Sequence, residues 1–195
     1  MVFFPKLGFD WSNGWILLVI YGVVFGATVR SFPRDIVVRL YDRSNWTPAQ
    51  RGLTRLGKVL SSVVFVLVAL SPLRTGSPVF LVGTAFYFVG LVGLEVALFD
   101  FEAAEPGQPA TRGFYRVSRN PQWVMLVLMF VGASLAVGSW AALALFVLAA
   151  ICYHFRILAE ERSCLEIYGS DYEAYLERVP RYLPLGPAPG AQQDP

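Results

Sequence analysis

Charge is what this sequence has least of. Only 15% of its 195 residues are Asp, Glu, Lys or Arg, against 55% hydrophobic; soluble domains average about 25% charged. That shortage argues against a soluble domain and for a chain that spends much of its length in lipid. Histidine is nearly missing too. His154 is the only one, which excludes a multi-histidine metal site and leaves little for a histidine-based triad. The two cysteines, Cys152 and Cys164, form no C-x-x-C pair, so neither a disulfide framework nor a zinc site is expected and both read as inert. A net charge of +2 is too small to suggest a nucleic-acid partner. No internal repeat is evident. The N-terminal region offers one lysine, Lys6, and no convincing cleavage site, so its apolar run reads as a retained span and not a signal peptide.

Long apolar runs are what is present. A spanning helix needs roughly 20 mostly apolar residues. Residues 11–29 and 79–99 meet that length, and 59–73 is shorter, with Lys58 placed to snorkel. Residues 122–155 carry no formal charge apart from the titratable His154. That run is too long for one span and too short for two full ones, and Gly138-Ser139 lies near its middle. It predicts a helical hairpin, 122–137 and 140–155, with arms of about 24 Å. Arms that short dip into the bilayer or thin it. The expected fold is therefore an all-α integral membrane domain over 1–185. It has about five transmembrane helices, a short C-terminal hairpin and a cytoplasmic helical tail, with 186–195 disordered. Fourteen of the sixteen basic residues fall in 30–58, 101–121 and from Arg156 onward, leaving only Lys6 and Arg74 on the other side. The positive-inside rule then puts the N-terminus outside and the C-terminus in the cytoplasm.

Smaller features carry paired readings. Ile36, Val37, Val38, Leu40 and Tyr41 alternate loosely with arginines, as in an interfacial amphipathic helix; a simple positive-inside anchor fits equally. Glu95 is an ionisable group within a span, where such groups are costly and usually functional. Its bland alternative is snorkelling or pairing with a loop arginine. Gly83, Gly90, Gly93 and Gly132 suggest tight helix packing. Trp11, Trp15 and Trp46 read as an interfacial belt.

Two polar stretches stand apart. The first, GFYRVSRNPQW (113–123), precedes the hairpin. Asn120-Pro121 is a helix-start signal with Pro121 suited to the first helical position, and free backbone N–H groups with Arg116 and Arg119 could hold an anion. Its plain alternative is a capped helix with positive-inside arginines. The second begins at His154. The last apolar helix should continue as FRILAEERSCLEIY and stop at Gly169. Ser170 and Glu173 form a possible capping box for a short helix ending before Val179-Pro180. His154 and Glu161 share a stripe, Arg156 and Glu160 are an i,i+4 pair, and Tyr172 and Tyr175 share a face. A membrane-exit helix with ordinary surface ion pairs explains the same residues.

Together these stretches resemble integral-membrane methyltransferases of the isoprenylcysteine carboxyl methyltransferase and phospholipid methyltransferase type. The matching residues are Gly113, Tyr115, Arg119, Asn120, Pro121 and Trp123, then Glu160, Glu161 and Leu165, then Gly169, Tyr172 and Tyr175, then Arg178, Val179 and Pro180. The carboxyl methyltransferases usually show Arg-His-Pro followed by Tyr. Here Asn120 and Trp123 occupy those places, which is closer to the phosphatidylethanolamine enzymes. A Gly-x-Gly in the preceding span, typical of the latter, is absent, and Gly90 with Gly93 is the nearest approach.

The resemblance implies a cytoplasmic-side pocket for S-adenosylmethionine. One wall would be Tyr115, Arg119, Asn120, Pro121 and Trp123, the other His154, Glu160 and Glu161, with the tail as a lid. Glu161 would bind the cofactor's ammonium, and Arg119 or backbone N–H groups its carboxylate. Arg156 or Arg181 would steer a carboxylate nucleophile; Glu161 or Glu95 would take the proton of an amine. Tyr172, Tyr175 and Arg181 fall on the substrate side. The implied partners are the bilayer and a lipophilic acceptor, with no metal and no nucleic acid. An NADPH-dependent membrane reductase of the sterol-reductase type and a non-catalytic scaffold are the competing readings.

Overall fold

The computed structural model describes residues 1–41, 46–105 and 107–183. The expected disordered tail, 186–195, lies outside them. Among the described residues there are seven α-helices and no strand. They are α1 (Trp15–Ser31), α2 (Arg34–Tyr41), α3 (Pro48–Leu70), α4 (Pro78–Glu102), α5 (Pro121–Ala136), α6 (Trp140–Tyr168) and α7 (Ser170–Arg178), with a 3-10 turn at Gly113–Arg116. Three of them, α3, α4 and α6, are long and apolar enough to cross a membrane. The two shorter apolar helices are α1 and α5, of 17 and 16 residues. Their outer faces stay greasy. Val59, Val63 and Val66 on α3, Val89, Val92 and Val96 on α4, and Val147, Leu148 and Ile151 on α6 are all exposed. Apolar side chains all round a helix are what a lipid-facing bundle needs.

Several boundaries differ from the sequence expectation, each for a local reason. α1 begins at Trp15 and not at residue 11, because the preceding residues form a turn: Asn13 is buried and donates its side-chain amide to the Gly8 carbonyl at 2.6 Å. α3 begins at Pro48, well before residue 59. Thr47 and Gln50 make a reciprocal capping box with Pro48 in the first turn, a Thr-x-x-Gln signal that fixes the start regardless of hydropathy. The 140–168 helix runs unbroken into the tail as expected, and Gly169 stops it at φ 55°. The capping box at Ser170 does not form. Gly169 serves both as the C-cap of α6 and as the N-cap of α7, so Ser170 is already helical. Trp46 is not a belt residue: it is 4% exposed, packed inward, with the Arg156 guanidinium 5.7 Å from its ring centre.

The bundle is organised as two close pairs, α4 with α5 and α3 with α6, with α1 along one side. The α4–α5 seam is built on glycine. A Cβ on Gly83 would lie 2.5 Å from the Ala136 nitrogen, and one on Gly90 2.5 Å from the Met129 nitrogen. One on Gly132 would overlap the Tyr87 backbone. Such contacts let dispersion act between backbones where lipid offers no hydrophobic drive. Tyr87, buried in this seam, donates its hydroxyl to the Leu17 carbonyl at 2.5 Å and so ties α4 to α1. At the opposite end of the bundle from the tail, Val2 and Phe3 close over the α5–α6 turn: Val2 N–H donates to Gly138 O, and Trp140 N–H to Val2 O.

Candidate functional site

Between the two helix pairs lies a cavity of about 480 Å³. Ligand pockets are typically ~300–1,000 Å³. One end is polar and built from the segments that the sequence singled out. Tyr115, Arg119, Asn120 and Trp123 come from the loop and start of α5. Arg156, Glu160 and Glu161 come from α6, and Tyr172 and Tyr175 from α7. The other end descends between apolar helices and is lined by Phe25, Leu94, Leu98, Leu126, Phe130 and Phe146.

Glu161 organises the polar end. Its side chain is about nine-tenths buried and accepts from Arg119 Nε at 3.2 Å, Asn120 Nδ2 at 3.1 Å and Arg181 Nε at 2.9 Å. Burying a carboxylate is costly unless it is paired and hydrogen-bonded, and here both oxygens are engaged. Arg119 is equally committed: Nη1 donates to the Leu176 carbonyl at 2.8 Å, and its backbone N–H to Pro180 O at 2.9 Å. Asn120 is the N-cap of α5, with Pro121 in the first turn as expected, yet its side chain caps nothing. Its amide turns instead to Glu161 and to the Arg181 carbonyl. Giving up the usual capping bond makes Asn120 a bridge between loop, α6 and tail. The hydrogen bond to Glu161 holds the Arg181 guanidinium's pKa above its ordinary value.

The tail closes over this cluster. Tyr175 donates its hydroxyl to the Tyr115 carbonyl at 2.6 Å, and Gln122 donates to the Tyr115 hydroxyl at 2.9 Å. Tyr172, Tyr175 and Val179 form a small apolar core of their own. Burial raises the pKa of the Tyr115, Tyr172 and Tyr175 hydroxyls, so these groups stay protonated. Gly113 has φ 57°, and the Asp100 carboxylate fills the space where a Cβ would stand while accepting from Phe114 N–H at 2.7 Å. The loop is thereby pinned to the end of α4.

Glu160 differs from its neighbour. It pairs with Arg156 at 2.7 Å, and both side chains are about a third exposed. Its carboxylate borders the cavity with accepting capacity to spare.

Four sequence candidates do not line the main cavity: Pro121, buried in the first turn of α5, Arg181, whose side chain reaches the cluster only through Glu161, and His154 and Glu95. His154 does not line the main cavity. It meets the Tyr182 hydroxyl at 2.6 Å and borders a second, apolar cavity of about 290 Å³ between α5 and α6. Its shared stripe with Glu161 does not make a shared site, because Trp123 borders both cavities and forms part of the wall between them. Glu95 also stays outside the main cavity: Thr28 on α1 donates its hydroxyl to one carboxylate oxygen. The short helix α1 lies close enough to meet this acid, which hydropathy could not show.

Sequence reasoning missed Arg39, Trp46 and Tyr153, which line the cavity. Arg39 belongs to the stretch read only as amphipathic or basic, and Trp46 to the residues read as an interfacial belt. Tyr153 sits one residue before His154 and makes an edge contact with Trp123, ring centres 5.1 Å apart. Among the described residues no cluster of three or more His, Cys, Asp or Glu is placed to hold a metal ion.

Comparison with curated proteins and with solved structures gives no match. A family model does match, over residues 66–171, from the C-terminal end of α3 to the start of α7. That segment contains the α4–α5 seam, the Arg119-Asn120 loop and both glutamates, and by extent it is more than half of the sequence. On this match the chain belongs to the phospholipid methyltransferase family.

Proposed function

We propose that this chain is a membrane-embedded methyltransferase that uses S-adenosylmethionine and methylates a lipophilic acceptor at the cytoplasmic face. The observation that carries the reading is one cavity with two chemistries, a charged end beneath the tail and an apolar end within the bundle. A lipid-like acceptor needs both, with its reacting group beside the charges and its chain among the apolar side chains. Five crossings, with α1 and α5 as short spans, and the excess of basic residues in 30–58, 101–121 and the tail support the orientation.

The residues present suit the cofactor. S-adenosylmethionine supplies, when bound, a methyl group on a cationic sulfur that becomes a neutral thioether on transfer. Trp46, Trp123 and Tyr153 offer aromatic faces, which attract such cations. The ammonium falls to Glu160, whose carboxylate has accepting capacity left, and not to Glu161, whose oxygens Arg119, Asn120 and Arg181 already hold. Glu161 acts as the anchor that keeps loop, α6 and tail together. The protein's chief task in an in-line displacement is alignment, where proximity supplies about 7–11 kcal/mol. An amine acceptor must also lose a proton. The buried tyrosines stay protonated and do not take it.

Calorimetric titration of the detergent-purified protein with S-adenosylhomocysteine, with NADPH in parallel, tests the reading. Saturable binding of the first, weakened at least tenfold in Glu160→Gln and Asn120→Ala, is the expected result. Binding of NADPH alone would move the chain to reductase chemistry, and binding of neither would remove the enzyme reading. Transfer of labelled methyl to lipid extracts would then identify the acceptor.

A further inference from the structure

The second cavity, about 290 Å³ between α5 and α6, has no part in the function proposed above. Two helical stripes line it. Trp123, Val127 and Val131 come from α5 at i, i+4 and i+8, and Val147, Ala150 and His154 from α6 at i, i+3 and i+7. The groove between them is therefore about 12 Å long. It runs from the middle of the hairpin to the end where the tail docks. There Tyr182 meets His154 at 2.6 Å and closes it with a polar pair. Elsewhere its lining is apolar.

Three observations point to what fills it. The mouth is framed by Val147 and Ile151, both half exposed on the outward face of α6, a helix long and apolar enough to cross a membrane. The medium against that face is hydrocarbon. The helices on either side also pack loosely on each other: α5 is held closely by α4 and α6 by α3, but α5 and α6 meet only sparsely. Finally, the back wall is shared. Trp123 and Phe146 border both cavities, and each has a ring partner on the main-cavity side, Tyr153 for Trp123 and Phe130 for Phe146. An empty groove on the other side would leave those rings short of dispersion contacts.

We propose that the α5–α6 groove binds one hydrocarbon chain of a bilayer lipid as a structural ligand, which completes the seam and backs Trp123 and Phe146 in the wall of the main cavity. The chain lies along the Val127 and Ala150 stripes, with its polar end toward His154 and Tyr182. It is held and not transformed. Because the wall it supports also bounds the main cavity, the chain positions Trp123 for whatever that cavity holds. The site rests on the groove alone and not on the methyltransferase reading.

Photolabelling in vesicles provides the test. Three proteins are compared: the wild type, Ala150→Leu, which fills the groove, and Ala144→Leu, the same change at an exposed position of α6 outside it. Each is reconstituted in palmitoyl-oleoyl phosphatidylcholine with a trace of that lipid carrying a diazirine in one chain. Labelling should concentrate on Val127, Val131 and Ile151, fall about tenfold in Ala150→Leu and stay unchanged in Ala144→Leu. Labelling no denser there than at the outward-facing Val89, Val92 and Val96 of α4 would reduce the groove to ordinary lipid contact and overturn the proposal. Labelling confined to Leu94 and Leu98 of the main cavity would overturn it too. A disulfide-linked dimer through Ala150→Cys would give the groove to a second copy of the chain instead. Melting in detergent tests the structural role. Washing out bound phospholipid should lower the wild type's melting temperature by about 2–4 °C and that of Ala150→Leu hardly at all, since the leucine stands in for the chain. An equal drop in both would overturn that role. Titration with S-adenosylhomocysteine alongside keeps the two readings apart: failure to bind would sink the proposed function, while labelling and melting still decide the groove.

Discussion

The α4–α5 seam and the Glu161 seam both hold parts of the chain together, by opposite means. The first removes side chains. Gly83, Gly90 and Gly132 bring two backbones to van der Waals distance, and no charge is involved. The second adds charges. A buried carboxylate draws Arg119, Asn120 and Arg181 from three places in the sequence onto one point. The difference teaches where each kind of seam belongs. Inside the bundle, lipid competes poorly with close backbone contact, so shape suffices. At the bundle's edge water competes for every polar group, and only a desolvated, fully satisfied cluster holds a closing segment in place. The cavity lies where one seam gives way to the other.

Substitutions can break this contrast. The largest effect should come from Glu161→Ala, which leaves two arginines facing each other without their carboxylate. Removing one partner of a buried pair costs about 3–5 kcal/mol. The tail should become protease-sensitive and methyl transfer should be lost, while the α4–α5 seam, probed by a disulfide trap, stays closed. An intact tail in this variant would show that Tyr172, Tyr175 and Val179 alone hold it. Next comes Gly132→Ala, whose Cβ would overlap the Tyr87 backbone. Overpacking of this kind costs about 1–3 kcal/mol, read as a lower melting temperature in detergent with the tail still docked.

Arg181→Ala should act more weakly. Its side chain is about a third exposed, so the pair is partly screened and worth about 1 kcal/mol. Tail proteolysis should speed up several-fold while S-adenosylhomocysteine still binds. The smallest effect on stability belongs to Glu160→Gln, in an i,i+4 pair about a third exposed and worth less than about 1 kcal/mol. Its melting temperature should hardly move, yet its S-adenosylhomocysteine affinity should fall. A large melting shift with unchanged affinity would reverse the roles given to Glu160 and Glu161.

Much of this was legible in the sequence. The runs 79–99 and 122–155 appear as α4 and the α5–α6 hairpin, because apolar length and a Gly-Ser break are local properties. The glycines of the seam stood out for the same reason. Tyr115, Arg119, Asn120, Glu160 and Glu161 could be singled out as two polar stretches, and they do meet at one cavity. His154 and Glu95 show the limit. Both are polar groups in apolar company, but which neighbour each faces depends on helix rotation and on the position of α1, and no local pattern encodes either.

By itself, then, the sequence determined the apolar helices and the density of charge at one end of the chain, since each follows from residues within a few turns of one another. Only the tertiary structure decided which glutamate is saturated and which still has room. It also turned Trp46 inward and opened the groove behind Trp123. Those outcomes depend on distances between residues 20 to 60 or more positions apart. Such distances are fixed when α3 pairs with α6 and α4 with α5, not by any stretch of chain alone.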